Sequence, residues 1–161
     1  MLIGLAHAAV CVPDVEAAAA WYESVLGMQV LSPPYLVEGD AISEDMAEVV
    51  GGPVALKGAI VGFDRSDHVL ELVEYPLSPP ASDRSTHGVT DVGITHVGLV
   101  CDDIEATRAH LAEHDVELLT SDVASIAGLR TAWFRDPWGV VFILLEKGAP
   151  DRPYWHQPRN P

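Results

Sequence analysis

Basic side chains are scarce in this chain. Its 161 residues include 9 Lys and Arg against 24 Asp and Glu, a formal net charge of −15. Such a surface repels phosphate backbones and anionic headgroups, so neither nucleic acid nor a membrane is expected as a partner. Cysteine is scarce too. Two residues, Cys11 and Cys101, make no disulfide framework and are expected as free thiols, small buried hydrophobes in a reducing cytoplasm. Long apolar runs are missing. Met1 to Val12 is apolar, but it carries no Lys or Arg and stops at Pro13-Asp14. It reads as a buried first strand, not a signal peptide or a spanning helix. What is present is enough hydrophobic side chain, 48 % of residues, to build the core of one domain.

The chain repeats itself. Leu5-Ala-His7-Ala-Ala-Val-Cys-Val-Pro-Asp14-Val-Glu16-Ala matches Ile94-Thr-His96-Val-Gly-Leu-Val-Cys-Asp-Asp103-Ile-Glu105-Ala. A constant offset of 89 positions, the distance from His7 to His96, also aligns Asp14 with Asp103 and Glu16 with Glu105. Two copies are too few for a solenoid and suit a pseudo-twofold domain.

Each copy predicts the same order of elements. An apolar strand carries the His, over residues 4–12 and 93–101. Asp14 or Asp103 then caps a helix, near 15–26 and 104–114. Val15, Ala18, Ala19, Tyr22 and Val25 give the first helix its apolar stripe, and Gly27 ends it. A strand follows near Gln29–Leu31 and Val116–Leu119. The first copy then holds an insertion, 32–56, with Pro33-Pro34 and a short helix expected from Ile42 to Val50. Two strands close each copy: Leu56–Phe63 and His68–Tyr75, then Arg130–Arg135 and Val140–Lys147 around the turn Asp136-Pro137-Trp138-Gly139. The expected organisation is one domain, 1–148, made of module 1 (1–76), a polar linker (77–92) and module 2 (93–148). A Pro-rich tail, 149–161, follows; its Tyr154 and Trp155 suggest packing. The fold class is α+β, two tandem βαβββ modules forming a cupped mixed sheet around one pocket.

Three polar residues stand out. A lone strand His is usually a satisfied core residue; His7 and His96, at one position of a repeat, ask for a shared explanation. Glu71 interrupts the apolar strand His68–Tyr75, and alternation places it with Val69, Val73 and Tyr75. Both faces are partly apolar, so its carboxylate is expected to be enclosed, and an enclosed carboxylate must be paired or hold a cation. Two His and one Glu suit a divalent ion such as Zn, Fe, Mn, Ni or Co. Glu74, on the other face, is the better candidate for a solvent-facing carboxylate.

The run His7…Asp14-Val-Glu-Ala-Ala-Ala-Ala-Trp21-Tyr22-Glu-Ser-Val-Leu26-Gly27 resembles the opening of the vicinal-oxygen-chelate superfamily. That superfamily includes glyoxalase I, methylmalonyl-CoA epimerase, extradiol dioxygenases and antibiotic resistance proteins. Leu70-Glu71-Leu72, Ile94-Thr-His96-Val-Gly-Leu and Phe134-Arg-Asp136-Pro137-Trp-Gly139 continue the likeness to about Lys147. The resemblance implies metal ligands at His7, Glu71 and His96, and a homodimer. The family's fourth ligand is a carboxylate four residues after the Gly of the Asp-Pro-x-Gly turn. Ile143 stands there, and Glu146 falls on the opposite strand face unless a bulge shifts the register.

The leading reading is a divalent-metal-dependent lyase or isomerase, or a dioxygenase, acting on a small oxygenated substrate, with Glu71 doubling as ligand and proton acceptor. The competing reading is a metal-free binding protein of the antibiotic-sequestering type. Ile143 favours it, and Tyr75, Trp133, Phe134 and Trp138 could wall its cleft.

Overall fold

The computed structural model describes residues 1, 3–65 and 68–158. The chain separates into two compact units, residues 1–83 and 84–161, divided inside the linker expected from composition. Among the described residues no helix is long and apolar enough to cross a membrane.

The first unit runs β1 (His7–Cys11), α1 (Val15–Leu26), β2 (Gln29–Val37), α2 (Asp40–Val50), β3 (Leu56–Gly62) and β4 (Val69–Glu74). Its sheet has the order β1-β4-β3-β2, with β1 parallel to β4 and the other pairs antiparallel. The second unit runs β5 (Val97–Cys101), α3 (Ile104–Glu113), β6 (Glu117–Leu118), β7 (Ala124–Ile126), β8 (Leu129–Arg135) and β9 (Val141–Lys147). Its sheet has the matching order β5-β9-β8-β6, with β7 added beside β8. The protein is thus α+β, with one mixed sheet in each unit.

Helix α1 forms because its apolar side chains recur at helical spacing. Val15, Ala18, Ala19, Tyr22 and Val25 are all buried, and Tyr22 is fully enclosed. They pack on the face of the sheet that carries Leu70, Leu72, Ala59 and Val61. Burying each of the larger side chains contributes roughly 1.5–3 kcal/mol. In the second unit Ile104 and Leu111 of α3 do the same beside Ala132, Phe134, Phe142 and Leu144. There Phe134 and Phe142 stack with centroids 5.0 Å apart.

Several expected boundaries move. Strand β2 runs on past the expected Gln29–Leu31 into the insertion, through Pro33-Pro34. It is the edge of its sheet and pairs with β3 through two register shifts, which absorb the missing N–H donors. Strand β7 was not foreseen; it hairpins onto β8 through Ala127-Gly128, both at positive φ. The strands β1 and β5 are shorter than 4–12 and 93–101, so His96 precedes β5. The tail does pack, but not through its aromatics. Tyr154 and Trp155 are exposed, while the Gln157 amide is buried and bonds the backbone of Ala149, Arg152 and Pro153. The turn after β8 is closed by the enclosed Asp136 carboxylate, which accepts from the N–H groups of Trp138 and Val140.

Candidate functional site

Strand pairing fixes what stands beside what. Ala9 pairs with Glu71 in the first unit, and Gly98 pairs with Ile143 in the second. Ala9 and Gly98 are two residues after His7 and His96, so Glu71 and Ile143 occupy equivalent positions. The next strand over places Ile60 beside Glu71 and Trp133 beside Ile143.

The helix-facing side is the same in both units. Asp14 accepts from the Ala17 N–H, and Asp103 from the Ala106 N–H, each at 2.9 Å. Glu74 accepts from Val15 N–H at 3.0 Å and Glu146 from Ile104 N–H at 2.8 Å. Each helix start therefore has two of its four orphan donors satisfied by carboxylates. A cation balances each cluster. Lys57 pairs with Glu16 and lies 3.8 Å from Glu74; Arg130 reaches Glu105 at 2.6 Å and Glu146 at 3.1 Å. Hydrogen bonds to Glu16 and to Glu146, respectively, are the main reason both cations sit above their ordinary pKa.

One expectation is corrected here: Glu74 is not a solvent-facing carboxylate, since the start of α1 holds it. Glu146 lies, as alternation predicts, on the face opposite Ile143; β9 pairs without a bulge, and the Glu146 carboxylate serves α3. The signal was in the sequence: Glu74 and Glu146 each follow the Glu71 or Ile143 position by three residues.

The opposite side of the first sheet carries His7, Ala9 and Cys11 from β1 and Glu71, Val73 and Tyr75 from β4 and its end. His7 Nε2 lies 3.1 Å from Glu71 Oε2, with the His side chain 47 % exposed and the Glu 19 %. Two donors each about 2.1 Å from one ion stand roughly 3.0–3.4 Å apart, depending on the coordination angle, so this pair fits two neighbouring ligands of a divalent metal. The same two atoms can also share a proton, as a base and its orienting partner do. Burial, reinforced by Cys11 and Glu71, pushes the Tyr75 phenol above its ordinary pKa and keeps it a donor. Cys11 was expected buried but is exposed. Partial shelter still pushes its thiol pKa up, which makes it a poor nucleophile.

The corresponding side of the second sheet is different. His96 meets the Trp133 ring edge-on, with centroids 4.9 Å apart and planes at 70°. Its Nδ1 lies 2.9 Å from the Thr95 hydroxyl. Of the three expected ligands, then, the structure brings His7 and Glu71 together, while His96 belongs to the second unit. Among the described residues, one trio of His, Cys, Asp or Glu has its ligand atoms within 4.8 Å of one another: Asp14, Glu16 and Glu74. That trio is the capping cluster at the start of α1, already balanced by Lys57. A cleft of about 460 Å³ in the second unit, lined by Ile126, Gly128, Arg130, Glu146 and Pro158 among others, includes none of the three expected ligands.

Residues 4–144 match the model of the Glyoxalase/Bleomycin resistance protein/Dioxygenase superfamily, and the chain belongs to that superfamily. It is 28 % identical over 141 residues to the Escherichia coli (strain K12) protein YaeR, covering 88 % of this chain and 94 % of the relative. A glyoxalase family protein from Bacillus cereus superposes with a TM-score of 0.79 at 20 % identity, covering 92 % of this chain and 97 % of the other. The trypanothione-dependent glyoxalase I of Leishmania major gives 0.63 at 21 % identity, over 91 % and 88 %. TnmS3, an antibiotic binding protein from a Streptomyces species, gives 0.56 at 24 % identity, over 91 % and 97 %. At these identities the structures speak for the fold.

Proposed function

We propose that this protein is a divalent-metal-dependent lyase or isomerase acting on a small oxygenated substrate, with His7, Glu71 and His96 as metal ligands. The observation that carries the reading is the 3.1 Å convergence of His7 Nε2 and Glu71 Oε2 on the side of the sheet that α1 leaves uncovered. His96 enters as the repeat's counterpart of His7 and by family resemblance. A bound divalent ion would act as a Lewis acid toward substrate oxygens. Glu71 would accept the proton taken from carbon beside the carbonyl. Tyr75, on the same sheet face and held protonated, would donate a hydrogen bond to the substrate. An iron ion in this set would turn the reading toward dioxygenase chemistry.

A homodimer in the cytoplasm belongs to the same reading. Each unit exposes apolar side chains at equivalent places before its first strand, Ile3 and Leu5 in one, Val92 and Ile94 in the other.

A second reading, a metal-free binder of antibiotic-like molecules, is favoured by Ile143, apolar where the first unit has Glu71, and by Trp133, aromatic where it has Ile60. TnmS3, an antibiotic binding protein, has a similar fold. Elemental analysis of protein purified without added metal or chelator separates the two. Near-stoichiometric metal, lost in a His7→Ala, His96→Ala double variant, supports the enzyme. No uptake from any of Zn, Fe, Mn, Ni or Co moves the assignment to the binder.

A further inference from the structure

The two histidines of the repeat are held by different atoms. His7 turns Nε2 toward Glu71. His96 turns Nδ1 toward the hydroxyl of its own chain neighbour, Thr95, at 2.9 Å. The first copy has Ala6 where the second has Thr95, so His7 has no such hydroxyl beside it. A metal-binding imidazole presents one ring nitrogen as a lone pair and commits the other, as N–H, to an acceptor. Thr95 can accept through Oγ1, and the Trp133 ring, its centroid 4.9 Å from that of His96, packs against the imidazole that this bond orients.

We propose that Thr95 is a positioning residue for His96. Its hydroxyl accepts the Nδ1–H, and so fixes Nε2 as the nitrogen presented for coordination. The inference rests on the metal reading above and adds the residue that selects the His96 tautomer. Thr95 touches neither ion nor substrate; it acts through His96.

Two measurements on the full chain test this. Zn²⁺ affinity is read by competition with a chelating dye for wild type, Thr95→Val and Thr95→Ser. Thermal unfolding of the apo-proteins checks that each variant is folded. The expected result is a loss of about 10–100-fold in affinity for Thr95→Val, within the range of losses seen when a ligand's hydrogen-bond partner is removed, and near wild-type affinity for Thr95→Ser. Long-range proton–nitrogen correlation spectra at pH 8, with His96 assigned through a His96→Gln variant, are expected to show Nδ1–H in the wild type. The Thr95→Val spectrum should show a mixture of tautomers, a change that a purely structural role would not produce. Equal Zn²⁺ affinity of Thr95→Val and wild type, or an Nε2–H tautomer in the wild type, overturns this inference alone. A wild-type protein that takes up no metal overturns the reading beneath it, and the inference with it.

Discussion

Where the first unit carries Glu71, the second carries Ile143, and across the neighbouring strand Ile60 gives way to Trp133. On the helix side of the same strands nothing comparable has changed. Asp14 and Asp103, Glu74 and Glu146, Lys57 and Arg130 make the same contacts in both units. The difference shows how a duplicated unit divides its labour. The helix side must satisfy the orphan N–H groups of α1 or α3 and bury its apolar stripe, so change there costs stability in either copy. The other side carries no such obligation and is free to specialise: one copy keeps an acid beside its His, the other an aromatic ring.

Breaking that contrast tests it. The largest effect is expected at Glu71. Glu71→Gln should lower metal affinity about 100-fold or more, whereas Glu146→Gln should leave metal content unchanged while lowering the melting temperature. Equal metal loss in the two variants would mean that Glu146 had been misplaced. A smaller, opposite effect should follow Ile143→Glu, which restores an acid at the position equivalent to Glu71. Affinity should rise about tenfold, worth about 1.4 kcal/mol. Unchanged affinity would show that the second unit's face lies outside the metal site. The smallest effects belong to the shared side. Asp14→Ala and Asp103→Ala should each cost about 1 kcal/mol in urea unfolding, by loss of equivalent caps. A cost confined to one of them would break the symmetry of the helix starts.

Much of the fold was legible because duplication doubled every signal. The offset that aligns His7 with His96 also aligns the two capping aspartates and the two helices; the family resemblance singled out Ile143, and strand pairing shows it to be the counterpart of Glu71. What escaped was set by tertiary contact. Pro33-Pro34 reads as the start of an insertion, outside the strand, until β2 is known to be a sheet edge. Glu74 reads as a surface acid until the start of α1 is known to sit on it. The Trp133–His96 contact joins residues 37 positions apart, one on β8 and one just before β5, with β9 between the two strands. His7 stood out because the repeat carries a second His at the same place, and Glu71 because an acid in an apolar strand needs a partner; the two side chains lie 3.1 Å apart on neighbouring strands. Thr95 gave no signal, since a threonine before a strand is ordinary.

The central claim is that the first unit's His–acid pair, not its acidic helix start, is where a metal binds. Crystals grown with Zn²⁺ and measured at the zinc absorption edge test this most directly. The account predicts an anomalous peak within coordination distance of His7 Nε2 and Glu71 Oε2. A peak among Asp14, Glu16 and Glu74 instead, or no peak at His7 when zinc is in excess, would contradict it.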